Sequence, residues 1–333
     1  MELGIGMFGD LHIDPKTGYT QTPQQRMSEI IEEVKLMDEI GLDFFGIGEH
    51  HRPEIILAAL STVTKNIKLG SAVSVISSTD PVKLYQDFAS VDNLSNGRAE
   101  IMAGRGSFIE SFPLFGYDLN DYDALFDEKL RLLLDLNKNE VINWRGKFRM
   151  PIINQSVYPK PVQEKLPIWI AVGGTKSSIV RAATLGLPII FAIIGGNPAD
   201  FNYLFEIYKQ VYIENGHDIK TMQIGVHMHS FFGEDSEKIA EEYFPIYGAQ
   251  MNRIGASRGW PKYTKPQFDY GRSTNGHLIV GDASLAVDRI LKYQEMFGLT
   301  RFSAHMDVGA PNHLDMMKSI EIFGKDILPK VKM

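Results

Sequence analysis

One α/β domain, a (β/α)8 TIM barrel with insertions over residues 1–333, is the fold this sequence predicts. Three observations predict it. Short apolar, β-rich runs alternate with amphipathic helical stretches along the whole chain. There are eight such runs. Each ends in glycine or polar residues just before the next helical stretch. Parallel neighbours need crossover connections, and helices supply them. Eight units are the number that closes a barrel of about 250 residues plus insertions. An open, doubly wound sheet is the alternative that the same alternation allows.

The elements follow in order. Residues 3–8 read as the first strand. Met27, Ile30, Ile31, Val34 and Met37 recur at three-to-four spacing, so 23–40 reads as a helix stopped by Gly41. Residues 44–48 read as strand two with a helix over 54–65. Strand three spans 67–76, followed by a helix over 81–94. Strand four spans 99–104, followed by a helix over 121–136. Residues 141–162 break the rhythm and read as a β-hairpin plus loop inserted before the next strand. Strand five (167–172) and a helix (177–185) come next, then strand six (188–194) and a helix (198–215). Strand seven spans 223–232. A long helical region from 236, a polar stretch at 258–276 and an added helix over 282–297 separate it from strand eight (301–306). A helix over 313–327 closes the chain.

Composition narrows the function. Hydrophobic residues make up 44%, enough for a large core, and the net charge is −7 from 34 basic and 41 acidic residues. That balance argues against a nucleic-acid partner, because phosphate backbones need a basic face. The absence of cysteine removes disulfide, thiolate-metal and cysteine-nucleophile chemistry. The opening Met1-Glu2-Leu3-Gly4 has no signal-peptide character, and the apolar run at 187–196 is too short to span a bilayer. The expectation is a cytoplasmic chain with no membrane contact.

In a barrel the site lies at the C-terminal ends of the strands. Strand two ends Gly46-Ile47-Gly48-Glu49-His50-His51. Alternation puts His50 on the face of Gly46 and Gly48, where there is room for a large ligand. The same histidines could simply bond backbone. Strand four ends Gly104-Arg105-Gly106, where a guanidinium fork between glycines suits phosphate, or forms a solvated turn. Strand five ends Gly173-Gly174-Thr175-Lys176-Ser177-Ser178 before a helix. Its amides and the helix dipole suit an anion, although Ser and Thr are also ordinary caps. On strands seven and eight, His227 and His229, then His305 and Asp307, form i, i+2 pairs that share a face. Such pairs raise a barrel metallohydrolase as a distant reading; the expectation is no metal. Trp260, Tyr263, Phe268 and Tyr270 form part of a lid or pack a surface loop.

An ordered set of short stretches carries a resemblance. Gly48-Glu49-His50-His51, Lys68-Leu69-Gly70-Ser71-Ala72-Val73, Asp80-Pro81-Val82, Asp92-Asn93-Leu94-Ser95-Asn96-Gly97-Arg98, Gly104-Arg105-Gly106, Phe115-Gly116 and Gly186-Leu187-Pro188 occur in one order along the chain. Together they resemble the bacterial luciferase-like flavin monooxygenases. That resemblance implies a barrel that binds FMN, reduced and used as co-substrate with O2 to oxygenate a small organic molecule. In other branches the ligand is the deazaflavin F420 and the reaction is hydride transfer. It further implies a separate NAD(P)H-dependent flavin reductase as partner and a homodimer. By position, Arg105, Thr175 and Ser178 correspond to flavin-phosphate ligands, with Gly173 and Gly174 also in the cofactor site. The Ser71–Ala72 bond corresponds to a non-proline cis peptide under the flavin ring, and His50 to a histidine near the ring's reacting edge. A non-catalytic flavin-binding protein is the remaining relative of that kind.

Two departures stand out. Gly174 lies near a position that is acidic in the luciferase α subunit, which removes light emission from the expectation. The connection from His51 to the helix near Glu54 is also shorter than the family's, which implies a segment missing after Pro53.

Overall fold

The computed structural model describes residues 1–14, 17–48, 52–104, 110–256 and 258–333. Eight parallel strands form the barrel: β1 (Glu2–Met7), β2 (Phe44–Ile47), β3 (Lys68–Ser71), β4 (Ala99–Gly104), β5 (Ile168–Val172), β6 (Ile189–Ala192), β7 (Ile224–Phe232) and β8 (Arg301–His305). Each pairs with the next, and β8 returns to β1, so the sheet closes on itself. The open-sheet alternative is thereby excluded. The expected hairpin is present as Val141–Trp144 against Ile152–Ser156.

Helices cover the outside: α1 (Pro23–Glu39), α2 (Pro53–Ser61), α3 (Pro81–Ser95), α4 (Tyr122–Lys138), α5 (Lys176–Thr184) and α6 (Asn202–Glu214). After β7 come α7 (Ser236–Ala256), α8 (Lys265–Arg272) and α9 (Ala283–Phe297); α10 (His313–Ile322) follows β8. The apolar residues of β1, β2 and β3 that point outward, such as Ile5, Phe45 and Leu69, join the helices in one large core.

The differences from the sequence reading have local causes. The helix expected over 54–65 stops at Ser61, where the β-branched run Thr62-Val63-Thr64 begins. Pro53 opens that helix and Glu54 follows within it, so the connection after β2 is short in this chain. The strand expected over 67–76 is split into Lys68–Ser71 and Ser74–Val75. The cis bond between them is Ala72–Val73 and not Ser71–Ala72. The Ala72 amide still donates to Ile47 O at 2.7 Å. Pairing with β2 therefore holds Ser71–Ala72 as regular strand, and the departure comes one residue later. A short strand, Ile279–Gly281, also extends β7 at its C-terminal end, an element the sequence reading lacked.

The N-terminal half of the barrel interior is filled. Arg301 is 1% exposed and lies across the lumen. Its guanidinium donates to Glu2 Oε2 at 2.8 and 2.5 Å and to the Glu100 carboxylate at 2.5 and 3.0 Å. It is sandwiched between the rings of Phe44 and Trp169, 4.3 and 4.2 Å from their centroids. This one side chain ties β8 to β1, β2, β4 and β5. Gly70 makes room for its partner Glu100, because a Cβ there would lie 2.9 Å from Glu100 Cγ. Above it, Met102, Trp169 and Ile190 form a small apolar cluster of their own.

Two predictions follow from this packing. Glu100→Ala leaves a buried guanidinium half-paired and lowers stability by about 3–5 kcal/mol. A urea unfolding midpoint equal to the wild type's would show that the ion pair does not close the barrel floor. Outside the barrel, His313 bridges Glu33 Oε1 at 3.1 Å and Glu32 Oε2 at 3.0 Å, joining α10 to α1. The hydrogen bond to Glu33 raises its pKa above the ordinary value, against some burial. A raised folded pKa gives stability that is full below the unfolded value of about 6.5 and fades as pH rises through the folded value. His313→Gln should flatten unfolding free energy against pH in that window; an unaltered profile would remove this bridge as its source.

Candidate active site

Alternation along the strands sends small residues into the C-terminal half of the lumen. A Cβ on Gly6 would meet the His227 ring at 2.6 Å, and one on Gly46 would meet Ala72 Cβ at 2.8 Å. One on Gly48 would meet the Phe8 ring, and one on Gly104 would meet Val73. The parity read for strand two is therefore found: Gly46 faces inward, while Phe45 and Ile47 face the helices. Ala72, Ala171, Ala192 and His227 keep accessible surface although helices cover the outside of their strands. A crater open at the C-terminal end accounts for this, with Met102, Trp169 and Ile190 beneath it.

A cavity of about 640 Å³ opens beside the crater. Phe8, Val73, Val75, Leu84 and Leu114 give it an apolar wall, with Glu54, Asp80 and Lys83 among its polar residues. A larger, more open recess of about 720 Å³ lies at the opposite end of the barrel, among Met1, Glu2 and Met333. It is lined by the chain termini and lies away from the strand C-termini, so the crater is the candidate site.

One side of the crater is histidine-rich. His227 Nδ1 lies 2.9 Å from Ser303 Oγ, and His227 Nε2 lies 2.9 Å from His305 Nδ1. His305 Nε2 is 3.0 Å from Asp307 Oδ1, at ion-pair distance without hydrogen-bond alignment. Asp307 is fixed in turn by the amides of Phe8 (3.1 Å) and Gly9 (2.6 Å). Burial alone would raise the Asp307 pKa, but His305, Arg26 and the Gly9 amide outweigh it and hold the carboxyl below its ordinary range. Burial pushes the His227 imidazole down to about 3, aided by His305 and opposed by Asp307. His229, bonded to Tyr247 Oη at 2.9 Å, is likewise pushed well down, by burial first and then by the neighbouring histidines. With His227 neutral, Ser303 can donate to His227 Nδ1 and His227 Nε2 to His305 Nδ1, which leaves the His305 Nε2 proton toward Asp307.

The i, i+2 pairs thus share a face as expected, but their nitrogens bond one another and do not converge on a metal. Among the described residues, the His/Asp/Glu group close enough to hold a cation is Glu29, Glu33 and His313, outside the barrel. Arg26 already fills that role, 2.7 Å from Glu33 and 3.8 Å from Glu29.

The opposite side of the rim carries the glycines and hydroxyls expected to meet an anion. β4 and β5 are paired neighbours, Ile101 with Ile168 through Ala103 with Ile170. The end of β4 and the start of α5 therefore share one rim. Gly173 has open space where a Cβ would point, and Gly174 takes a left-handed φ of +109°. Thr175 is the N-cap of the nine-residue α5. In its first turn, Ser178 Oγ is buried and has no hydrogen-bond partner among the described residues. Buried polar groups are normally paired, so this hydroxyl fits a ligand oxygen at the helix N-terminus. Ser71 differs: its hydroxyl donates to Met102 O and accepts from Met102 N, so it locks β3 to β4. Ala72 lies at the crater wall. His50 and Arg105 lie outside the described residues, as do Glu49, His51 and Gly106. The aromatic stretch divides. Phe268 and Tyr263 pack on α7 against Tyr247, while Trp260 and Tyr270 are exposed.

A closed (β/α)8 barrel with a hollow, small-residue C-terminal mouth is the architecture of a barrel enzyme with its ligand site on the strand ends. The family model described as luciferase-like monooxygenase matches residues 3–300, and the chain belongs to that family of oxidoreductases. It is 28% identical over 351 residues to the alkanal monooxygenase alpha chain of Photorhabdus laumondii, covering 94% of this chain and 95% of that one. It is 23% identical over 316 residues to the oxygenase component of the flavin-dependent trigonelline monooxygenase of Acinetobacter baylyi, covering 87% and 86%. Two solved structures share the fold. Monooxygenase RslO1 from Streptomyces bottropensis superposes with a TM-score of 0.83 at 22% identity over 99% of both chains. The oxygenating constituent of 3,6-diketocamphane monooxygenase from Pseudomonas putida, in complex with FMN, gives 0.78 at 18%, covering 99% and 98%.

Gly6→Ala tests the histidine side. The new methyl pushes the His227 ring off Ser303 and His305, at a cost of about 1–3 kcal/mol. The thermal midpoint should fall and the His227 and His305 imidazole NMR signals should shift together. A variant with wild-type signals would place the His227 ring elsewhere.

Proposed function

We propose that the crater binds reduced FMN and that the chain is the oxygenating component of a two-component monooxygenase acting on a small organic substrate. The observation that carries this is the unpartnered, buried Ser178 hydroxyl at the N-terminus of α5, on the rim of a lumen lined by glycine and alanine. Arg105, Thr175, Ser178 and the backbone at Gly173 and Gly174 would hold the phosphate. Ala72, with the backbone of Ser71, would support the ring over the crater, and His50 would face its reacting edge. Reduced flavin supplies the electrons that activate O2. The chain's own part is to tether the ligand, shut water out of an apolar mouth and place the substrate in the adjoining cavity.

The name of the trigonelline relative, an oxygenase component, supports a separate NAD(P)H-dependent flavin reductase as partner here. A homodimer and a cytoplasmic location complete the reading; no helix among the described residues is long and apolar enough to cross a membrane. F420 is the alternative ligand, because it shares the tricyclic ring and a phosphate ester. A flavin-binding protein without turnover is the alternative role.

Titration of the apoprotein with FMN and with F420 separates the ligands. FMN should bind, and Ser178→Ala should weaken it about 10- to 100-fold, the value of one hydrogen bond to a charged group. Preferential binding of F420, or an FMN affinity indifferent to Ser178, would overturn the reading. With a reductase and a panel of aldehydes, ketones and thioethers, His50→Ala should lower oxygenation about 10²- to 10⁴-fold. Equal rates would remove His50, and tight FMN binding with no oxygen consumption would favour the non-catalytic role.

A further inference from the structure

We propose that the His227–His305 pair is the proton-accepting counterion of the crater: it takes up one proton when a bound ring brings negative charge over the crater floor, and Asp307 fixes the imidazolium that forms. This rests on the flavin reading, since reduced flavin is the ligand whose ring carries that charge.

Placement comes first. His227 is in register with Ser303 on β8 and Ala192 on β6, and its accessible surface opens into the crater. The rest of the floor is apolar: Met102, Trp169 and Ile190, with Ala72 and Ala171 against them. Arg301 lies deeper and is already matched by Glu2 and Glu100. An anionic ring over such a floor needs a partner charge, and the histidine pair is what the described part of the floor offers.

The pair is built to accept one proton. A single proton lies between His227 Nε2 and His305 Nδ1. A further proton makes one imidazolium, whereas two would set like charges 2.9 Å apart. The Asp307 carboxylate is ready beside His305 and cannot turn away, because two backbone amides hold it. The other groups that face the pair set its resting state. Arg26 from α1 acts on Asp307 and draws part of its field away from His305. His229 on β7 and His277 before the Ile279–Gly281 strand are pushed down by burial and stay neutral. Tyr243 and Tyr247 from α7 are pushed up by burial and stay protonated. Glu49, His50 and His51 after β2 lie outside the described residues. Burial keeps His227 neutral; negative charge on a bound ring reverses that balance. Water in the crater reaches His227 and delivers the proton.

The test is anaerobic titration calorimetry of the full chain with dithionite-reduced FMN and with oxidised FMN. Two buffers of different ionisation enthalpy give the protons taken up per ligand. Near about pH 8, where free histidine is neutral, the wild type should take up close to one proton more than His305→Gln on binding reduced FMN. Oxidised FMN should show no such difference. The flavin's own ionisation is common to both proteins and cancels. Binding of oxidised FMN certifies the fold of the variant. If His305→Gln does not fold, ¹⁵N NMR of the wild-type imidazoles decides: reduced FMN should move the His227 and His305 nitrogens to the imidazolium pattern, and unchanged signals overturn the proposal. Tight binding of reduced FMN with equal proton counts overturns it and leaves the flavin reading standing. Failure of both redox forms to bind removes both.

Discussion

The arrangement turns on one buried guanidinium. Arg301 is held by carboxylates from β1 and β4 and by rings from β2 and β5. A buried charge is tolerated only when its partners and geometry are complete, so this contact fixes which strands meet across the lumen and at what height. Everything above inherits that register. With Arg301 opposite Gly225, alternation places His227 opposite Ser303 and His229 opposite His305. A slip of one residue on either strand would turn the histidines into the outer core and empty the floor.

A filled lower lumen also lets the upper lumen be hollow. Barrel interiors are normally packed in layers of branched side chains. Here Gly6, Gly46, Gly70 and Gly104 occupy inward positions where a Cβ would strike a neighbour. Those neighbours, Ala72, Val73, His227 and Glu100, come from other strands or from the loops after them. The glycines thus do two things at once: they bring backbones close to side chains across the barrel, and they leave the mouth open. The stability of the fold then resides in the outer layer, where the large core joins strands to helices, and the mouth is free to serve the ligand.

The sequence made the architecture legible and left the long-range chemistry hidden. Alternation of runs and helices requires only local patterning, so the eight strands, the hairpin and the closing helix could all be read. Parity at Gly46 and Gly48 worked for the same reason: the period of a strand is local. The shared face of His227 with His229, and of His305 with Asp307, was also visible, but not that the two pairs bond each other. That contact joins residues 78 apart, and the Arg301–Glu100 pair joins residues 201 apart; no spacing rule encodes either. A cue did exist for the plug. Glu2, Glu100 and Arg301 are charged residues at the first or second position of apolar strands, all at one end of the barrel. The cis bond was misplaced by one residue because the ladder to Ile47 O, not the local sequence, decides where regular strand ends.

The two chemical sides of the crater answer each other through topology. The anion-ready rim lies between β4 and β5, and the histidine pair lies on β7 and β8. In a ring of eight strands these are nearly opposite. A ligand tethered at α5 by its phosphate, as proposed, would extend its ring across the mouth toward β7 and β8, over an apolar floor. The charge of the phosphate would be met by helix amides and a hydroxyl that are always present. The charge of the ring depends on its redox state, and a permanent cation beneath it would favour the anionic form whether or not electrons had arrived. A titratable imidazole pair beside a fixed carboxylate avoids that bias. On the proposal above, it gains its positive charge when the ring over it becomes negative. Fixed charge suits the end of the ligand that does not change, and titratable charge suits the end that does.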